Sequence, residues 1–161
     1  MDCYMNRPDL EPFAKGGWFM TGDIGYLDAD DHLFVIDRLV DIGYRNGTVI
    51  SPSELERQFE AHPGVKEAGV ILESSDTSSP LSVVAFVVLR EAVASADKPA
   101  LSSADFRYID ACDEIYLVDH IPRLPINGKI DRKTLLAHLP VVRSLNFAQT
   151  NIISITSLCG K

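Results

Sequence analysis

The chain has 161 residues, 46% of them hydrophobic and 24% charged, enough apolar material for one domain with a real core and part of a second. Acidic residues outnumber basic ones, 23 to 15, and the lysines and arginines are scattered, so the field disfavours nucleic acid and anionic membrane as partners. The longest apolar run, Val83 to Leu89, is too short for a membrane span, the three widely spaced cysteines suit a reducing compartment, and the histidines at 32, 62, 120 and 138 lack metal-ligand spacing.

Residues 1 to 17 contain no recognisable domain start; Tyr4-Met5-Asn6-Arg7-Pro8-Asp9-Leu10 reads as the middle of something larger. Thr21-Gly22-Asp23 leads into Ile24–Asp28, and Ala29-Asp30-Asp31 turns the chain into His32–Asp37, which predicts a hairpin of two short strands. Asp23 beside a glycine reads as a turn residue making an Asx-type bond. Asp37-Arg38 closes the second strand and reads as a surface pair worth less than about 1 kcal/mol. Leu39–Tyr44 and Thr48–Ile50 then flank Arg45-Asn46-Gly47, and an Asn-Gly pair between β-prone stretches signals a second hairpin.

Ser51-Pro52-Ser53-Glu54 is a helix start, with Ser51 as N-cap, Pro52 in the first turn and Glu54 closing a capping box. Leu55 and Phe59, four apart, form the buried face, Pro63-Gly64 ends the helix, and Glu56 is expected to face solvent. Val65–Leu72 and Leu81–Leu89 read as strands across a polar loop, followed by an Ala-rich linker over 90–100. Ser102-Ser103-Ala104-Asp105 is expected to cap a short helix burying Phe106 and Ile109, with Cys112 beside them, before a strand over Glu114–Val118.

Ile121-Pro122-Arg123-Leu124-Pro125-Ile126-Asn127-Gly128-Lys129-Ile130 is a shaped turn: two prolines fix φ, Asn127-Gly128 tolerates φ > 0, and Lys129 stands next to the apex. On its own it is either a surface turn with a solvated lysine or a lysine placed where a ligand brings negative charge. Arg132–Leu139 is predicted as a final helix. Residues 140–161 carry no assignment; Asn151–Leu158 within them is β-prone and nearly uncharged. Neither a signal peptide nor a C-terminal Ser-Lys-Leu is visible, which gives a cytoplasmic expectation.

Pro122-Arg123-Leu124-Pro125-Ile126-Asn127-Gly128-Lys129-Ile130-Asp131-Arg132-Lys133 resembles the C-terminal catalytic-lysine motif of the adenylate-forming, AMP-binding enzymes. That superfamily includes acyl-CoA synthetases, 4-coumarate-CoA ligases, beetle luciferases and the adenylation domains of peptide synthetases. Gly17-Trp18-Phe19-Met20-Thr21-Gly22-Asp23 and Asp37-Arg38-Leu39-Val40-Asp41, running on to Ile50-Ser51-Pro52-Ser53-Glu54-Leu55-Glu56, agree with it in order and approximate spacing. The resemblance covers about residues 4 to 139 and implies Lys129 as the catalytic lysine of adenylation. It further implies Asp23 and Arg38 as ligands of the ATP ribose, Val40 and Asp41 as the hinge, and Asn46-Gly47 as the loop of the thioester step. Val40 replaces the Asp or Lys of many relatives. Tyr44 stands where luciferase-like members have lysine, which argues against light emission. Before Glu114 the chain is roughly two helical turns short of the family pattern.

The expected fold is α+β, a small sheet covered by helices and preceded by a β-hairpin remnant of a larger domain. Residues 1–38 would be the tail end of the N-terminal AMP-binding domain, 39–139 the C-terminal lid, and 140–161 an unassigned tail. By resemblance the function is that of the C-terminal part of an ATP-dependent acid-thiol ligase, which forms an acyl-adenylate and then a CoA thioester. ATP, with magnesium whose ligands lie outside this chain, and coenzyme A are the implied cofactors; the missing N-terminal domain, sharing nucleotide and acyl substrate, is the implied partner. Three alternatives stand beside this reading: a non-catalytic truncated lid or partner-binding module, an adenylation-domain fragment of a peptide synthetase, and a stand-alone nucleotide-binding module.

Overall fold

Every residue from Val83 to Val88 is buried, and the side chains divide by strand periodicity between two apolar clusters. The computed structural model describes residues 12–74, 80–90, 106 and 109–146. Two compact units part after Ile42. The second contains a three-stranded sheet in the order β5 (Val65–Glu73), β6 (Ser82–Leu89), β7 (Glu114–Val118), with α1 (Pro52–Glu60) and α2 (Arg132–Asn146). β5 and β6 are antiparallel, and β6 and β7 are parallel. Val84, Phe86 and Val88 pack with Ile121, Leu135, Leu139 and Val142 on one face; Val83, Ala85 and Val87 pack with Leu55, Phe59, Phe106 and Ile109 on the other. The domain is therefore the expected α+β arrangement of a small sheet covered by helices.

β5 is an edge strand, and its outward backbone groups are met by side chains rather than by another strand. Glu56 Oε1 accepts from Val70 N at 2.9 Å and from Arg132 Nη2 at 2.8 Å, while Arg132 Nε donates to Val70 O at 3.1 Å. Glu60, one turn further along α1, accepts from Ala68 N at 3.3 Å. Glu56 is thus buried, against the expectation that it faces solvent. Ser51 caps α1 as predicted, accepting from Glu54 N at 3.1 Å, and Glu54 pairs with Arg57. Gly69 admits the other layer: a Cβ there would lie 3.3 Å from both Ile121 and Leu135.

α2 continues beyond the predicted end at Leu139, through Pro140, to Asn146. Val142 is fully buried one turn after Leu139, which gives the extra turn an apolar anchor. Arg143 adds a polar one, reaching Glu73 Oε2 at 2.7 Å and Glu114 Oε2 at 3.0 Å, and Tyr116 donates its hydroxyl to Glu114. The Arg143 hydrogen bond, followed by that from Tyr116, holds the Glu114 carboxyl below its ordinary range. The predicted linker and most of the predicted helix near 102–112 lie outside the described residues, although Phe106 and Ile109 are buried as expected.

The first unit carries the predicted hairpin, β1 (Asp23–Leu27) paired antiparallel with β2 (Leu33–Arg38), with Tyr26 and Phe34 stacked at 5.2 Å between ring centroids. β3 (Gly43–Arg45) and β4 (Thr48–Ile50) form the second hairpin at the start of the second unit. β3 begins later than the sequence suggested, because residues 39–41 make a turn in which Asp41 N bonds Arg38 O at 3.0 Å. Among the described residues no helix is long and apolar enough to cross a membrane.

Removing Glu56 strips a buried acceptor from both Val70 N and Arg132. Glu56→Ala should destabilise the domain by about 2 kcal/mol or more, against less than about 1 kcal/mol for Glu54→Ala, whose ion pair is exposed. Urea unfolding of the two variants checks this; equal losses would remove Glu56 from the role of edge seal.

Candidate functional site

The Lys129 loop is built by a short ladder closing on itself. Arg123 and Ile130 form an antiparallel bridge, Leu124 N donates to Lys129 O at 2.7 Å, and Gly128 N donates to Leu124 O at 2.9 Å. Asn127 Oδ1 accepts from Lys129 N at 3.1 Å, the Asx-type bond for which asparagine is favoured in turns. Gly128 takes φ +68 with nothing near its missing Cβ, so its requirement is conformational. Lys129 itself is exposed on this frame.

Both ends of the loop are tied down. Asp131 N donates to Pro122 O at 2.8 Å, and the Asp131 carboxylate caps α2 by accepting from Thr134 Oγ1 at 2.8 Å and Thr134 N at 3.1 Å. The Thr134 hydroxyl, then its backbone N–H, lowers the Asp131 carboxyl below its usual value. Arg132 follows directly and carries the tie to Glu56 and β5 described above. On the entering arm, Arg123 Nη2 reaches Glu67 Oε2 at 2.6 Å. Lys133, by contrast, is exposed at the start of α2.

The second predicted loop lies at the β3–β4 turn, where Asn46 and Gly47 both adopt positive φ, 52 and 77. Two consecutive residues in this region give the primed turn that suits a two-residue hairpin. Arg45 fixes the hairpin to the body of the domain by donating to Asp113 Oδ2 at 2.7 Å and to Ala111 O at 2.6 Å, while Asp113 accepts from Val83 N at 2.8 Å. Cys112, in the same turn, has its thiol pushed up to about 12, first by burial and then by the Asp113 charge.

In the first unit, Asp23 and Arg38 are brought together directly across the hairpin, with Arg38 Nε 3.2 Å from Asp23 Oδ1. Gly22 O accepts from Leu39 N at 2.7 Å, which closes the end of the ladder. Val40 and Asp41 occupy the following turn, just before the units part. Asp28, Asp30 and His32 form a compact acidic group on the exposed hairpin turn. Both Asp28 oxygens are used within that turn, by Asp30 N and His32 N at 2.9 Å each and by the His32 ring at 3.1 Å.

Sequence reasoning missed the arginines that hold these loops: Arg45, Arg123 and Arg132. The available signal was weak, since each lies beside a turn or helix start yet finds its acid far along the chain.

No protein-family model matches the chain. Among curated proteins it is 36% identical over 143 residues to 4-coumarate--CoA ligase 5 of Oryza sativa subsp. japonica, covering 86% of this chain and 26% of that protein. A 4-coumarate--CoA ligase of Pinus taeda is 31% identical, with the same two shares of 86% and 26%. Among solved structures, the amide bond synthetase of Marinactinospora thermotolerans matches with a TM-score of 0.62 and 29% identity, covering 78% of this chain and 26% of that one. The O-succinylbenzoate coenzyme A synthetase of Bacillus subtilis, in complex with AMP, matches with a TM-score of 0.60 and 30% identity over 76% of this chain and 24% of that one. The chain's homologues are adenylate-forming enzymes, and its fold is that of their C-terminal domain. It spans about a quarter of the length of these relatives.

The Asp131 cap gives a pH-dependent test of the lysine-loop frame. Its depressed carboxyl contributes stability that is complete above the ordinary value of 3.8 and is lost as pH falls through the lower folded value. Thr134→Val removes the hydroxyl donor and should raise the Asp131 titration midpoint toward 3.8, as read by NMR of the carboxyl carbon. An unchanged midpoint would mean that the hydroxyl is not the main cause.

Proposed function

We propose that this chain is the lid-bearing C-terminal part of an ATP-dependent acid–CoA ligase, in which Lys129 serves acyl-adenylate formation and the Asn46–Gly47 turn serves thioester formation. One observation carries the reading: an exposed lysine stands on a loop whose backbone is hydrogen-bonded on both sides and tied to β5, within a fold shared with the C-terminal domains of adenylate-forming enzymes. A bare surface turn needs no such frame.

In the first half-reaction a carboxylate oxygen attacks the α-phosphorus of ATP and pyrophosphate leaves. Charge builds on the phosphoryl oxygens as this happens, and a preorganised ammonium at Lys129 stabilises that charge more in the transition state than before it. In the second, the sulfur of coenzyme A attacks the acyl carbon and AMP leaves. Gly47, at φ +77 with open space around it, gives a pantetheine arm close access to backbone. Asp23 and Arg38 offer a carboxylate and a planar donor fork to the ribose and its neighbouring oxygens.

Val40 and Asp41 are assigned to the hinge between the two steps, with residues 1–38 belonging to a large domain and the lid, drawn as 39–139 from the sequence, running on to the end of α2 at Asn146 because Val142 lies in its core. The large domain would supply the magnesium ligands and the acid pocket, in a cytoplasmic setting. Support comes from the named relatives, acid–CoA ligases about four times the length of the match.

The test joins the chain to the large domain of a 4-coumarate–CoA ligase and measures each half-reaction separately. Lys129→Ala should slow pyrophosphate-releasing adenylation by about 10² to 10³, equivalent to roughly 3 to 4 kcal/mol, and largely spare thioester formation from supplied acyl-adenylate. Lys133→Ala, exposed on α2, should change little. Equal effects of the two variants, or an equal loss in both half-reactions, would overturn the assignment of Lys129.

A further inference from the structure

Arg123 stands on the entering arm of the lysine loop, bridged to Ile130 on the returning arm. Its guanidinium spans two elements. Nη1 donates to the Gly128 carbonyl at 2.9 Å, and Nη2 donates to Glu67 Oε2 on β5 at 2.6 Å. The Gly128 carbonyl belongs to the peptide whose nitrogen is that of Lys129, so fixing this oxygen fixes the rotation of that peptide plane. The direction in which the Lys129 side chain leaves the backbone follows from it.

This arginine is poorly suited to being a stability device. Its side chain is 48% exposed, and exposed ion pairs contribute about 1 kcal/mol or less. Its geometry is better explained by orientation. A planar fork places two donors at fixed angles, and here they meet acceptors on two different elements, the loop and the sheet. Gly128 makes such a brace useful. With φ +68 and open space where a Cβ would be, no side chain at Gly128 restrains the peptide, and the Asn127 bond holds only the nitrogen side. The carbonyl side is held by Arg123.

We propose that Arg123, itself held by Glu67, is a positioning residue that aims Lys129 by pinning the Gly128–Lys129 peptide to β5. This rests on the reading of Lys129 as the adenylation lysine. Loss of the brace would leave the lysine present but spread over several directions, and small misplacements of a reacting or stabilising group are costly to rate.

Two measurements test this, one on the 161-residue chain and one on the same chain joined to a ligase large domain. In the first, Arg123→Ala and the near-isosteric Glu67→Gln should each lower the backbone order parameters of Gly128 and Lys129 by ¹⁵N relaxation, with those of β5 to β7 unchanged. In the second, each should lower the adenylation kcat about tenfold with KM for acid and ATP unchanged, and leave thioester formation from supplied adenylate intact. Arg123→Lys, which keeps the charge but not the fork, should restore part of the loss. The deciding variant combines Arg123→Ala with Lys129→Ala and should be no slower than Lys129→Ala alone, because the arginine acts through the lysine. Additive losses, or unchanged Gly128 and Lys129 order in both single variants, would overturn the proposal. If Lys129→Ala leaves adenylation intact, the reading of Lys129 fails, and the order parameters still decide whether the brace exists.

Discussion

The exposed edge of β5 is the constraint on which the second unit depends. A three-stranded sheet buried on both faces has two edges, and an edge strand with unmet N–H and C=O groups is costly in a dry interior and hazardous in water. Glu56, Glu60 and Arg132 meet those groups with side chains. The acid and base come from different helices, so the bond that seals the edge also joins α1 to the start of α2. Because Glu56 is almost fully buried, its charge is tolerable only with Arg132 and the Val70 amide in place.

That seal has a functional corollary. Arg132 lies three residues after Lys129, so fixing the head of α2 against β5 also fixes the departing arm of the lysine loop. The entering arm is fixed to the same strand through Arg123 and Glu67. β5 thereby serves as a common reference for both arms, and Gly69 within it allows Leu135 of α2 to approach closely. The far end of α2 is held independently by Val142 and by Arg143 between Glu73 and Glu114. Pro140 costs the helix one hydrogen bond, yet the anchors beyond it keep the helix on the sheet.

Local chemistry made much of the fold legible in the sequence. The Asn46-Gly47 turn, the Ser51 cap and the apolar run of β6 each specify their conformation within a few residues. Interactions made by distant residues were not legible. Glu56 looked like a solvated helix residue because its partners, Val70 and Arg132, are remote in sequence and meet it only once the sheet edge forms. The last turn of α2 was not legible because its anchor is remote: Val142 continues the stripe of Leu135 and Leu139 past Pro140, but Arg143 meets Glu73 and Glu114 only in the folded sheet. At the candidate site, the lysine was visible through motif resemblance, whereas Arg123 was invisible because its acid lies on β5, 56 positions earlier.

The ion pairs also differ in what they are able to do. Glu56–Arg132 is largely buried and satisfies backbone groups as well as itself, so neither partner can be lent to a ligand without leaving a buried charge or an unmet amide. Asp23–Arg38 joins side chains that are 36% and 56% exposed, and a pair of that kind is held by about 1 kcal/mol or less. Water or a polar ligand can therefore take over either partner at small cost. The same residue types thus serve opposite ends according to burial: the interior pair sets the lysine loop against the sheet, and the exposed pair keeps a carboxylate and a guanidinium side by side on a hairpin end, available for exchange.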